Sequence, residues 1–164
     1  MKKKKKQNIV LVALAVITIA AVVSYNYYID QNKVKGFNFG NELQQIQDDL
    51  KKLQNEFDSK MIQLEEGDLT KEEFLEYSKN HLSVLEKIIP RYSELLPPES
   101  FITSVKLFKL STESQLESDR EFIKWIETGD ESHKLRSDSL IQEAFQYELS
   151  ALAEYKAVQQ GTKP

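Results

Sequence analysis

The sequence predicts an all-α protein in which an N-terminal single transmembrane helix is followed by an up-and-down antiparallel helical bundle. Three observations support this fold class. Residues 9–23 carry no charge and follow five consecutive lysines, Lys2 to Lys6. After residue 40, apolar residues recur at spacings of three and four, the period of an amphipathic helix. The five glycines fall between these periodic segments, which fits because glycine destabilises a helix interior by about 1 kcal/mol relative to alanine.

The N-terminal apolar segment is predicted to be a signal-anchor helix. Ten of residues 9–23 are Ile, Val or Leu, and Tyr25, Tyr27 and Tyr28 extend the segment to residue 29. A span needs about 20 residues, and tyrosine is enriched at the membrane interface. The lysines are expected to stay in the cytoplasm, so the C-terminal domain faces outward. The alternative is a cleaved secretory signal, which would release the rest of the chain as a secreted protein.

The predicted organisation has four parts. They are a basic cytoplasmic tail (1–8), the transmembrane helix (9–29), a juxtamembrane linker (30–40) and an extracytoplasmic helical bundle (41–160). Beyond residue 29 the chain holds all 26 acidic residues and 17 of the 22 basic ones, a formal net charge of −9. Nucleic-acid binders need clustered Lys and Arg, so no nucleic acid is expected as a partner. The lipid bilayer is an expected partner.

The first helix of the bundle is predicted over 41–66. Its apolar residues follow the a/d spacing of a coiled coil. Packing within the chain and self-association through this face both remain open. The linker before it contains Phe37 and Phe39, which either dock on the base of the bundle or the lipid headgroups, or contact a membrane partner. The a/d residues are Leu43, Ile46, Leu50, Leu53, Phe57 and Leu64.

The second helix is predicted to begin after a capping box formed by Thr70 and Glu73. Pro90 lies within its apolar pattern, so a kink or a division into two pieces is expected. The third helix runs from about residue 99 to Thr128. The core residues predicted for these two helices are Phe74, Tyr77, Val84, Leu85, Ile88, Tyr92, Leu95, Phe101, Val105, Phe108, Leu116, Phe122, Ile123 and Ile126.

The fourth helix is predicted to begin at a cap provided by Asp130 or Ser132 and to end near Gln160. Short connections make successive helices antiparallel neighbours. The bundle therefore has four helices, or three with the first one splayed toward the membrane. The core face predicted for the fourth helix comprises Leu135, Ile141, Phe145, Leu149, Leu152, Tyr155 and Val158.

A polar layer is predicted at mid-height of the bundle. Counting from the turns places His81, Gln115, Gln142 and Glu143 at one level, together with residues 54–55 of the first helix. One interpretation is a hydrogen-bonded layer that fixes the register of the helices. The other is a pocket between the helices for a small polar ligand, with these four residues as ligand contacts.

No catalytic, cofactor or metal-binding motif was found. The chain has no cysteine and two histidines, which are too few for the His and Cys ligands of a zinc site or for a di-metal carboxylate bundle. We therefore expect a non-enzyme without cofactors. The expected function is a membrane-anchored interaction or scaffold module that binds a protein of the cell envelope or self-associates. The alternative is an accessory ligand-binding or sensing subunit that uses the mid-bundle pocket.

Overall fold

The computed structural model describes residues 38–161, where all regular secondary structure is helical. This confirms the predicted all-α class with four helices. No helix in this part of the chain combines the length and apolar character needed to cross a membrane, and the predicted span, residues 9–29, lies outside the described residues. The helices are α1 (38–66), α2 (Lys71–Glu94), α3 (Ile102–Thr128) and α4 (Glu131–Gln159), with a 3₁₀ turn at Glu99–Phe101.

Helix α1 includes three residues that the sequence assigned to the linker. Residues 38–40 are helical, so Gly40 lies inside a helix rather than before it. The side chain of Phe39 is 3% exposed and packs on Phe101, with 5.4 Å between the ring centroids. Burial of a phenylalanine contributes about 1.5–3 kcal/mol, which exceeds the cost of a helical glycine.

The predicted helix boundaries coincide with specific caps. Thr70 Oγ1 accepts a hydrogen bond from Glu73 N at 3.2 Å, and Glu73 Oε2 accepts one from Thr70 N at 2.9 Å, which completes the capping box of α2. At the start of α4, Asp130 Oδ1 accepts from Ser132 N at 2.9 Å. Gly129 ends α3 with φ of 74°, a left-handed conformation that glycine adopts easily.

Helix α2 continues through Pro90, so the alternative of two separate pieces was wrong. Proline removes the hydrogen bond that its N–H would donate to the carbonyl of Glu86. Both residues are exposed, which leaves this carbonyl near water. Burial of Leu85, Ile88 and Tyr92 on the other face holds the helix against the core on both sides of the proline.

The helices pack in antiparallel order. Arg91 Nη1 of α2 donates to Asp49 Oδ2 of α1 at 2.6 Å, and Tyr92 OH lies 3.0 Å from Thr112 Oγ1 of α3. The predicted faces of the first three helices are buried or half-buried, so α1 uses its a/d residues inside this chain. The buried core residues of α1, α2 with its C-cap, and α3 are Phe39, Leu43, Ile46, Leu53, Phe57, Phe74, Leu85, Ile88, Tyr92, Leu95, Val105, Phe108, Leu116 and Ile123.

Helices α3 and α4 meet along a contact made of small residues. We call this contact the small-residue seam. It consists of three pairs of residues that lie opposite each other in the two antiparallel helices, and in each pair the two residue numbers add up to 255. Ser111 Oγ donates to the Ala144 carbonyl at 2.8 Å, and Ser118 Oγ donates to the Ser137 carbonyl at 3.0 Å. A side-chain hydroxyl reaches the backbone of a neighbouring helix only when the two helices lie close together. The pairs of the seam are Ser104 with Ala151, Ser111 with Ala144, and Ser118 with Ser137.

The core face predicted for the fourth helix was wrong for five of its seven residues. Its buried residues are Ser137, Leu140, Ala144 and Ala151, most of which are small. Close packing on α3 selects these small side chains and turns the large ones outward, while Tyr155 and Val158 are half-buried at the edge. The large side chains that point outward are 38% to 69% exposed and comprise Leu135, Ile141, Phe145, Leu149 and Leu152.

Candidate functional site

A buried polar cluster joins α2 and α3 at mid-bundle. His81 Nε2 and Asp119 Oδ2 are hydrogen-bonded at 2.8 Å, and Gln115 Nε2 donates to Asp119 Oδ1 at 2.7 Å. The side chains of His81 and Asp119 are 0% and 4% exposed. Burial raises the pKa of Asp119 above its ordinary value, and the hydrogen bonds and charge from His81 and Gln115 offset only part of this effect.

Aromatic rings enclose the histidine. The His81 ring stacks on Phe57 of α1, with 4.1 Å between centroids, and Tyr77 lies one turn before it on α2. His81 Nδ1 and Tyr77 OH are buried and have no hydrogen-bond partner among the described residues. A buried polar atom without a partner costs about 1–3 kcal/mol. The cluster therefore combines one strong pair with two unsatisfied atoms.

The geometry of this cluster limits its chemistry. A histidine–carboxylate pair can move a proton only if a reacting group approaches within hydrogen-bond reach. Here, both side chains are closed to solvent, and the groups bonded to them within the described chain are one another and Gln115. This arrangement fits a pair that fixes the register of α2 and α3. Within residues 38–161, no group of three His, Asp or Glu side chains is placed to hold a metal ion.

A polar cleft lies beside the cluster, between α1 and α3. Its volume is about 470 Å³, and Glu148 of α4 also lines it. Gln115 lines this cleft, and residues 54–55 face it from α1, as the predicted polar layer requires. Amide side chains both donate and accept hydrogen bonds, and Asp48 and Lys51 add one charge of each sign, so this lining suits a small polar molecule. The other lining residues include Gln47, Leu50, Phe108, Ser111 and Thr112.

The structure separates two of the predicted ligand contacts from this site. Gln142 and Glu143 are exposed on the outer side of α4, where Glu143 accepts a hydrogen bond from Tyr147 at 3.2 Å. The pairing across the small-residue seam places Leu140 of α4 opposite Gln115 of α3, so residues 142–143 are not opposite Gln115. His81 lies behind the cleft and reaches Gln115 only through Asp119.

Of the two phenylalanines predicted as partner contacts, Phe39 belongs to the described residues. Phe39 is covered by the bundle and packs on Phe101, whose ring also contacts Tyr155 at 5.0 Å between centroids. Its ring is therefore occupied by contacts within this chain. Phe37 lies outside the described residues.

The outer face of α4 is the second candidate site. We define it as Ile141, Phe145, Leu149 and Leu152, whose spacings of four, four and three place them on one side of the helix. Phe145 is 56% exposed, which is unusual for a ring of this size. Such contiguous apolar faces mark interaction surfaces more often than scattered single residues do.

Neither site is explained by likeness to a known protein. No protein-family model matches the chain, and no curated protein or solved structure matches it.

Sequence reasoning missed the two features that define these sites. Asp119 was not among the predicted ligand contacts, although it is the residue that joins His81 to Gln115. The outer face of α4 was assigned to the core. The signal for it was a repeat of small residues at intervals of seven in both helices, at 104, 111 and 118 and at 137, 144 and 151.

Proposed function

We propose that this chain is a non-catalytic interaction module that is held at the cell membrane and binds a protein through the outer face of α4. The observation that supports this proposal is the exposure of four large apolar side chains along one side of α4. The partner surface is a complementary apolar helix face of a protein in the same membrane, because apolar side chains gain about 25 cal/mol per Å² removed from water.

Anchoring of this module is inferred from the N-terminal residues. Residues 9–29 supply an apolar segment of spanning length, and the lysines before it favour a cytoplasmic N-terminus. The bundle would then be displayed outside the cell, or secreted if the segment is cleaved. Protease added to intact cells should remove a tag placed at the C-terminus. A tag that stays protected until the cells are lysed would contradict this orientation.

The binding role is tested on the full chain extracted from its native membranes with mild detergent. Native electrophoresis should show a complex larger than one chain. The substitutions Phe145→Ser and Leu149→Ser together should reduce it to the size of a single chain, since they remove the centre of the apolar face. The matched control is Leu96→Ser, because Leu96 is 79% exposed but lies in the turn after α2. A complex that survives the paired substitutions would refute the proposal.

A second candidate function is binding of a small polar ligand in the cleft between α1 and α3. The observation that favours it is the amide-rich lining from Gln54, Asn55 and Gln115. A thermal-shift screen of small polar compounds should find one that raises the melting temperature. The variant Asn55→Ala should lose this shift, whereas Gln44→Ala, an exposed position on α1 outside the cleft, should keep it. Equal shifts in both variants would exclude the cleft as the site.

A further inference from the structure

The charges that flank the outer face of α4 are arranged with a two-fold pattern. Asp138 lies seven residues before Phe145, and Lys156 lies seven residues after Leu149. Seven residues are about two turns, so both charges lie on the same side of α4 as the apolar side chains. Each is exposed, and within the described part of the chain neither forms an ion pair.

This pattern is complementary to itself when one copy is reversed. If two α4 helices pack in antiparallel orientation with Phe145 beside the partner's Leu149, the same register places Asp138 beside the partner's Lys156. The two-fold axis repeats both contacts, so two apolar contacts at the centre are bordered by two opposite-charge contacts. An interface in which the same patch serves both subunits is the commonest arrangement in homodimers.

We propose that the outer face of α4 binds the same face of a second copy of this chain, in antiparallel register. This inference rests on the proposed interaction role and identifies its partner. Charge favours a second copy over a lipid surface. The chain beyond residue 29 has a net charge of −9, which disfavours contact with anionic headgroups, whereas Asp138 of one copy and Lys156 of the other attract each other in this register.

The size of the face indicates how tightly the copies associate. A stable interface buries about 800 Å² on each partner, which is more than four side chains on one helix supply. The dimer is therefore weak and reversible in dilute solution. Confinement of both copies in one membrane raises their effective concentration and favours pairing without any further contact.

Charge reversal tests the register directly on the full chain in detergent at low salt. One variant is Asp138→Lys, in which every end contact of the homodimer joins two lysines. The other is Lys156→Asp, in which every end contact joins two aspartates. Sedimentation equilibrium should show dimerisation at least tenfold weaker for each variant than for the wild type. Arg136→Asp is the matched control, because Arg136 is an exposed charge of α4 outside this face, and it should dimerise as the wild type does.

Mixing the two variants gives the decisive result. In a mixed dimer each lysine at position 138 meets an aspartate at position 156, and the other end keeps the natural pair. A tagged Asp138→Lys chain should therefore retain untagged Lys156→Asp chain on an affinity resin, at a level near that of the wild-type pair. A parallel pairing would allow the same recovery, because equal positions would then also join a lysine to an aspartate. The single variants exclude it, since a parallel wild-type dimer would already carry like charges at both ends and neither substitution would weaken it.

The outcomes separate this inference from the proposed function. Absence of recovery in the mixture, or a wild-type chain that stays monomeric, overturns pairing of two copies. If Phe145→Ser and Leu149→Ser nevertheless dissolve a complex with a different protein, the interaction role stands and only the second copy is wrong. Binding of the wild-type chain to uncharged lipid vesicles through Phe145, or cross-linking of α4 to the N-terminal residues of its own chain, also overturns pairing.

Discussion

His81 of α2 and Asp119 of α3 are hydrogen-bonded at 2.8 Å in the interior of the bundle, with side chains 0% and 4% exposed. This pair links two helices at a position where the neighbouring side chains are aromatic. A buried charge or polar group is tolerated because its partner satisfies it, so loss of one member leaves the other in an unfavourable environment. The pair therefore makes the stability of the bundle sensitive to either residue.

Truncation of His81 is expected to be severe. His81→Ala should lower the free energy of unfolding by about 3–5 kcal/mol, because it leaves the Asp119 carboxyl without its partner and removes a ring stacked on Phe57. Urea denaturation followed by circular dichroism measures the change. His133→Ala is the control, since His133 lies near the surface beside Glu121 and should change stability by less than about 1 kcal/mol. Equal losses in the two variants would contradict a structural role for the pair.

The raised pKa of Asp119 predicts a specific pH dependence. In the folded protein the carboxyl holds its proton to higher pH than in the unfolded chain, where its value is near 3.8. The resulting stabilisation is complete below that value and is lost as the pH rises through the folded-state pKa. Asp119→Asn cannot titrate at this position. The wild type should therefore lose stability relative to Asp119→Asn as the pH is raised from about 4 to about 8.

Denaturation at several pH values measures this difference. Asp58 is close enough to raise the pKa of Asp119 further, so Asp58→Asn should shift the loss to lower pH. Both variants keep His81, the other titratable member of the pair. If the wild type instead gains stability relative to Asp119→Asn as the pH rises, the pKa of Asp119 is lowered rather than raised in the folded protein.

Most of the fold follows from the sequence because large apolar residues decide the packing of α1, α2 and α3. The a/d residues of α1, such as Ile46 and Phe57, are buried as predicted. The caps at Thr70 and Asp130 could also be predicted, since a side-chain oxygen at that position satisfies backbone N–H groups that the helix leaves unpaired.

Helix α4 could not be placed correctly by hydrophobicity. A rule that buries the largest apolar residues selects Phe145 and Leu149, whereas close approach to α3 requires small ones such as Ala144 and Ala151. The small side chains lose little conformational entropy and bring many backbone atoms into contact. The distance between α3 and α4 decides which face of α4 is buried. This distance is a property of the packed bundle rather than of either helix alone.

The polar site was predicted in part for a similar reason. Counting from Pro97 placed Gln115 opposite His81, but the structure places Asp119 there, one turn further along α3. The prolines keep residues 95–98 non-helical, and the 3₁₀ turn follows, so the centre of the connection lies near residue 100. His81 and Gln115 lie at mid-height of the bundle as predicted. Which residue of α3 lies opposite His81 depended on the exact geometry of the connection between α2 and α3.

The cap of α2 predicts a modest and local effect. Thr70→Ala should destabilise the protein by about 1 kcal/mol, because Thr70 Oγ1 no longer accepts the hydrogen bond from Glu73 N. Thr103→Ala is the control, since Thr103 is exposed within α3 and caps no helix. Thermal unfolding of both variants measures the difference. A melting temperature that falls equally in the two would show that the cap has no special role.

The small-residue seam predicts that size, and not polarity, limits the contact between α3 and α4. Ala144→Leu adds a side chain where the Ala144 carbonyl lies 2.8 Å from Ser111 Oγ, so α4 must move away from α3. The expected loss is about 1–3 kcal/mol, as for other overpacked cores. Ala153→Leu makes the same change at an exposed position of α4 and should alter stability by no more than about 0.5 kcal/mol.

A rescue experiment extends this test to both sides of the seam. Ser111→Gly removes the hydroxymethyl group that faces Ala144 and provides room for part of the added leucine. If the seam is limited by size, combining Ser111→Gly with Ala144→Leu should cost less than the sum of the single changes, because residues in contact do not act independently. Denaturation of the two single variants and the double variant measures this coupling. Strictly additive losses would mean that positions 111 and 144 do not compete for the same space, and the close approach of α3 and α4 would need another explanation.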